Sequence, residues 1–190
     1  MRLNLTAKDI GHTDLVDEAT GDVQYTIRTN IDGKMKTVRR PLQEPAPDHA
    51  PGPLVGRFHL HTVTADTMER REGEQIHVKD WMHDENKESA YTSQSGKKYA
   101  WSMQKDGDAI LHDESGQQVA YLYERSSSLF NKEKRERACL EVSDDMMADF
   151  DDIVLSCLYL KIRGQHAGVF GTSLSHKLAV AMSSGTGLST

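Results

Sequence analysis

The chain has 190 residues, 37% of them apolar, which suits one globular domain better than several. With 23 Lys and Arg against 29 Asp and Glu the net charge is −6, so nonspecific nucleic-acid binding is not expected as its main task. It contains no apolar run of the ~18 residues a transmembrane helix needs, and Met1–Asp9 holds no apolar leader core, so a cytoplasmic location is expected.

Most of the chain reads as short strands with one apolar and one polar face. Val23, Tyr25 and Ile27 alternate with Gln24, Thr26 and Arg28. Residues 41–53 contain all five prolines and predict an extended surface loop, because proline fixes φ and lacks an N–H. Leu54, Phe58 and Leu60 then alternate with Arg57, His59 and His61. Tyr99, Trp101 and Met103 alternate with Lys98, Ala100 and Ser102, and Val119, Tyr121 and Tyr123 sit opposite Ala120 and Leu122. Period-two patterning predicts an antiparallel sheet. Turn signals at Thr20-Gly21, Ser95-Gly96, Asp106-Gly107-Asp108 and Ser115-Gly116 separate the runs. Asp17 to Tyr25 and Asp113 to Tyr121 echo one another, each with Ser/Thr-Gly in a turn before a strand that carries an aromatic.

The C-terminal third changes character. Lys132–Arg137 interleaves both signs and predicts a solvated loop or hairpin flank. Acidic residues from Asp144 to Asp152 precede the apolar run Ile153–Ile162, with Lys161 and Arg163 at its end. That polarity matches a helix dipole and predicts a buried helix stopped at Gly164, with a strand as the alternative. Residues 1–163 are thus expected as one domain and 164–190 as a flexible Gly-, Ser- and Ala-rich tail. Cys139 and Cys157 form no C-x-x-C pair and are expected as reduced thiols, Cys157 as a small buried hydrophobe.

Four segments fall in one order: Leu15-Val16-Asp17-Glu18-Ala19-Thr20-Gly21, Thr37-Val38-Arg39-Arg40, Ser95-Gly96-Lys97-Lys98-Tyr99-Ala100-Trp101, and Asp152-Ile153-Val154-Leu155-Ser156-Cys157-Leu158-Tyr159-Leu160. In these the chain resembles the fungal family known as domain of unknown function 6593, over roughly residues 1–163. That family is in turn similar to tubby-like domains, LURP-one-related proteins and phospholipid scramblases. The resemblance implies an antiparallel tubby-like β-barrel closed around one buried hydrophobic helix near the C-terminus. It carries no catalytic residues. Leu60-His61 stands where the family pattern has a Trp-His pair, and the extension after Gly164 lies outside that pattern.

Two functions from different classes fit these residues. The first is a non-enzymatic binding module for an anionic phospholipid or a protein, peripheral at a membrane surface, using Arg39, Arg40, Arg57, His59 and His61. The second is a small barrel enzyme with His61 as acid/base or metal ligand. His59-x-His61 has metal-ligand spacing on a strand, and Gly52, His59, His61, Asp66 and Gly73 approach the order of a cupin motif. The glycine spacing is one residue long, aspartate replaces glutamate, and no proline follows Pro53 for a second motif, so no metal is expected. His77, His83 and His112 lie near acidic residues, but no nucleophile elbow accompanies them. No phosphate-binding glycine loop, dinucleotide fingerprint or calcium loop occurs, and no cofactor is expected.

Overall fold

The computed structural model describes residues 1–7, 9–42, 51–62, 64–70, 73–86, 88–104, 107–124 and 138–170. Most of the proline-rich loop, the Lys132–Arg137 run and residues 171–190 of the expected tail lie outside them. Alternating side chains produce thirteen strands among the described residues. They are β1 (Arg2–Leu5), β2 (His12–Asp17), β3 (Val23–Thr29), β4 (Met35–Arg39), β5 (Leu54–His59), β6 (Thr67–Arg70) and β7 (Glu74–His77), then β8 (Met82–Glu85), β9 (Glu88–Thr92), β10 (Lys98–Met103), β11 (Ala109–Asp113), β12 (Gln118–Tyr123) and β13 (Cys139–Val142). The one-turn helix α1 (Val78–Trp81) separates β7 from β8. A 3-10 helix, Asp144–Asp149, leads into α2 (Phe150–Phe170).

All thirteen strands form one antiparallel sheet in the order β7-β6-β5-β4-β3-β2-β1-β13-β12-β11-β10-β9-β8. Two meanders therefore join at the centre, where the first strand pairs with the last. The ends of the sheet are β7 and β8, which are consecutive in the chain. They do not hydrogen-bond to each other among the described residues, so the expected closed barrel is corrected to an open sheet. The reason is local. The chain passes from β7 to β8 through α1, whose Val78 and Trp81 are buried, and a helical turn cannot supply the short hairpin that would pair the two strands.

The turn glycines behave as their sequence setting requires. Gly21 and Gly116 adopt φ of 77° and 81°, values that disfavour a Cβ. The sequence echo is a repeated hairpin geometry. Asp17 Oδ1 accepts the Ala19 N–H at 2.9 Å, and Asp113 Oδ1 accepts the Ser115 N–H at 2.9 Å. The Ser115 hydroxyl and the adjacent N–H groups hold the Asp113 carboxyl below the usual carboxylate range.

Strict alternation breaks at three register shifts. At the one in β5, Val55 and Gly56 are consecutive buried residues; at the one in β12, Val119 and Ala120 are. Tyr121 and Tyr123 then lie on the outer side with ring centroids 4.2 Å apart, while Ala120 and Leu122 turn inward. Met103, which alternation places with Tyr99 and Trp101, is exposed at the strand end.

By compactness the chain divides into Met1–Cys157 and Leu158–Thr190. The first unit holds the whole sheet and the opening turns of α2. Phe150, Ile153, Val154, Leu155 and Cys157 are buried there, as a helix apolar on nearly every side predicts. Each large aliphatic or aromatic side chain buried in this way stabilises by ~1.5–3 kcal/mol before chain entropy is counted. At Gly56 the helix packs tightly on the sheet: a Cβ there would lie 2.8 Å from Leu155 Cδ2. Trp101 is fully buried and donates its indole N–H to Ser156 Oγ at 3.0 Å, and Ser156 donates to the Ile153 carbonyl at 2.9 Å. Cys139 and Cys157 are both buried. In the second unit α2 continues past the expected stop at Gly164 to Phe170. Gly164 has no positive φ, and glycine within a helix costs only ~1 kcal/mol relative to alanine.

Candidate functional site

The outer face of β2–β7 follows from register. Phe58, Val38, Ile27 and Met68 face the core, so their strand neighbours face outward. Across the sheet His12 pairs with Arg28, Arg28 with Thr37, Thr37 with Arg57, Arg57 with Glu69, and Glu69 with Gln75. This transverse row spans six strands. Beside it lie Asp14, Thr26 and Arg39 on one side, and Met35, His59, Thr67 and His77 on the other.

The arginines on this face are held in place. Arg28 pairs with Asp14 at 2.7 Å, and Arg57 with Glu69 at 2.7 Å. Arg39 donates to the Gly52 carbonyl at 2.7 Å. Three arginines against two carboxylates leave these strands one positive charge outward, in a chain of net −6. A guanidinium carries five donors, so each tethered arginine retains capacity for an anion.

The five residues singled out from sequence separate into groups. Arg39, Arg57 and His59 share the outer face. Arg40 leaves β4 in another direction, toward α2: it donates to Asp151 Oδ1 at 2.7 Å and to the Tyr25 hydroxyl at 3.2 Å, its guanidinium 5.3 Å from the Tyr25 ring centre. His61 is exposed and lies beyond the end of β5, where its backbone N–H donates to Asp66 Oδ1 at 2.8 Å. Burial still alternates here, with Leu60 buried and His61 exposed, although the strand itself ends at His59. Among the described residues no three His, Cys, Asp or Glu side chains form a group able to hold a metal ion. Sequence reasoning missed Arg28, His12 and His77 as members of the face. The only signal for Arg28 was its polar position beside Ile27.

A second polar cluster gathers where α2 begins. Tyr25 donates to Asp151 at 2.7 Å, and burial, then Asp151, pushes its hydroxyl pKa up. Asp152 Oδ2 accepts the Gln94 N–H at 2.7 Å, and its other oxygen lies 3.6 Å from Arg70. Burial raises the Asp152 pKa despite both contacts, and burial lowers that of Arg70, whose guanidinium sits 4.9 Å from the Trp81 ring centre. Gln94 follows β9 and Arg70 ends β6, so Asp152 ties together the strands that lie next to the two ends of the sheet. Asp149 accepts from the Tyr99 hydroxyl at 2.8 Å with Lys97 at 3.7 Å. Burial opposes its charge, but hydrogen bonds from Ser95, Tyr99 and Ser93 outweigh it and hold the pKa below the usual range. Lys36 is a further buried cation, facing the core opposite Phe58. Its ammonium donates to Thr29 Oγ1 at 3.2 Å, and burial lowers its pKa against the pull of Asp9.

The profile of a family of unknown function, DUF6593, matches residues 8–165. The chain belongs to that family. The match spans β2 to β13 and most of α2, so the DUF6593 region contains both polar clusters. A solved X-ray structure of an Arabidopsis thaliana protein is similar at 11% identity and a TM-score of 0.47, over 86% of this chain and 90% of that one. None of the curated proteins matches this DUF6593 chain. Among its described residues no helix is long and apolar enough to cross a membrane.

Proposed function

We propose that this DUF6593 domain is a non-enzymatic binding module that meets an anionic phospholipid surface with the outer face of β2–β7. The observation that carries this reading is the register that aligns Arg28 and Arg57 in one transverse row with Arg39 and His59 beside it. The face is polar and net positive, whereas the chain as a whole is acidic. Its arginines are fixed by Asp14, Gly52 and Glu69, so little side-chain freedom is lost when an anion arrives. The sequence resemblance to tubby-like domains supports a β-rich scaffold that presents such a face. The Arg40–Tyr25–Asp151 group belongs to the fold in this reading and not to the binding face.

Each Lys or Arg near an anionic membrane contributes ~1 kcal/mol, so three arginines supply at most ~3 kcal/mol, about 100-fold in affinity. Partial neutralisation by Asp14 and Glu69 brings the expected figure toward tenfold. The test is co-sedimentation with phosphatidylserine-containing vesicles, comparing the wild type with Arg28→Gln/Arg39→Gln/Arg57→Gln. A loss of tenfold or more in the folded variant is expected. Unchanged binding removes this face from the function, and capture of a protein in place of vesicles replaces the lipid reading.

A further inference from the structure

The outer face of β2–β7 also collects three histidines, of which the membrane-binding reading names His59 alone. His12 lies directly opposite Arg28. His59 and His77 lie on either side of Thr67, on strands β5 and β7. They share the polar side with Arg57 and Glu69, because Phe58, Met68 and Ile76 occupy the alternate positions. His12 and His77 are exposed and His59 is half-buried.

We propose that His12, His59 and His77 make this face an acid-strengthened binding surface, on which attachment to an anionic membrane tightens as pH falls. The proposal rests on the membrane-binding reading and adds its regulation. Histidine is the side chain whose charge changes between about pH 5 and 8. Protonation of all three would take the outward charge of these strands from one positive to four.

The surroundings decide whether that charge reaches a ligand. His12 faces Arg28 on β3, with Asp14 on its own strand and Asp9 before it. His59 faces Met35 on β4 and Thr67 on β6, with Arg57 on its own strand, Glu69 diagonal to it, and His61 and Asp66 beyond the strand end. His77 faces Thr67 on β6, with Glu69 diagonal, Gln75 on its own strand, and Lys79 and Asp80 in α1. The two strand carboxylates among these groups, Asp14 and Glu69, are already bound by Arg28 and Arg57. New histidine charge therefore adds to the face and is not absorbed within it. Adjacent strands lie ~4.8 Å apart, so His59 and His77 are separated by about 10 Å across β6. That distance is about one Debye length at ~0.1 M salt, which lets both carry charge together.

The experiment measures binding of the full chain to vesicles of phosphatidylcholine with about one third phosphatidylserine, at about pH 7.5 and about pH 5.5. Each added cation is worth about fivefold in affinity, so the wild type should gain between tenfold and about 100-fold on acidification. His12→Gln/His59→Gln/His77→Gln should lose most of the gain, and His12→Gln/His77→Gln should bind like the wild type at the higher pH. The pair His12→Gln/His77→Gln, at exposed positions, should lose about two thirds of the logarithmic gain even if the buried side of His59 does not tolerate glutamine. His83→Gln/His112→Gln, on β8 and β11, should keep the gain and so separates this face from the general rise in protein charge. A full gain in the triple variant, or equal wild-type binding at both pH values, overturns the acid response alone. No binding at either pH in low salt overturns the membrane reading as well.

Discussion

Asp149 offers the sharpest test of how α2 is anchored. Replacing it by asparagine preserves shape but removes the charge that Tyr99, Ser93, Ser95 and Lys97 converge on. A hydrogen bond to a charged group is worth ~1.5–3 kcal/mol and a neutral one ~0.5–1.5, so each hydroxyl contact loses about 1 kcal/mol. The ammonium of Lys97 is 56% exposed and adds less than ~1 kcal/mol after screening. Asp149 is itself only 1% exposed, so little of the loss is recovered from water. The expected cost of Asp149→Asn is about 2–3 kcal/mol at neutral pH. For a domain of this size that is a fall of roughly 5–10 °C in Tm. Urea unfolding followed by fluorescence of the buried Trp81 and Trp101 reads it directly. The pH dependence has a definite sign. The folded-state pKa lies below the ordinary aspartate value, so the stabilisation is complete above about pH 4 and is lost as pH falls through the folded pKa. The gap between wild type and variant should stay constant from about pH 8 to 5 and close below about pH 4. A gap under about 0.5 kcal/mol at neutral pH, or one that persists undiminished in acid, refutes the anchoring argument.

Three further substitutions probe other parts of the account. Gly56→Ala drives a methyl into Leu155, and a cost of ~1–2 kcal/mol should appear as a lower urea midpoint with unchanged slope. Trp101→Phe removes the donor to Ser156 and part of a buried ring; a loss of ~2 kcal/mol or more by the same assay is expected, with Trp81 left as the reporter. Tyr25→Phe and Arg40→Ala share Asp151 as a partner, so a double-mutant cycle should return a coupling of about 0.5–1 kcal/mol, and strict additivity would dissolve the proposed trio.

The strands were legible because alternation is a local property of the chain. Tyr25 and Ile27, or Tyr99 and Trp101, declare a buried face without knowledge of their neighbours. Glycines that need positive φ, such as Gly21 and Gly116, marked the turns for the same reason. The buried helix was legible because an apolar run behind a block of aspartates is also local. The register shifts in β5 and β12 were not, since a bulge exists only relative to the strand beside it. Nor was the gap between β7 and β8, which depends on α1 replacing a hairpin between two ends of a thirteen-strand sheet.

The candidate site was legible in part. Arg39, Arg57 and His59 could be placed on one side of neighbouring strands by parity. Their partners could not. Arg57 finds Glu69 across a strand pair, and Arg40 finds Asp151 at a separation of 111 residues. That distant contact moved Arg40 from the surface patch to the helix anchor. Arg28 and His77 joined the patch only once five consecutive ladders fixed which residues stand abreast.

The measurement that bears most directly on the proposed function is wild-type affinity for anionic vesicles as a function of salt. Binding to phosphatidylserine-containing vesicles at about 50 mM salt, weakening severalfold by about 150 mM and absent with phosphatidylcholine alone, is the expected result for a face of preorganised arginines. Equal affinity for neutral and anionic vesicles, or no binding even at the lower salt, would contradict it.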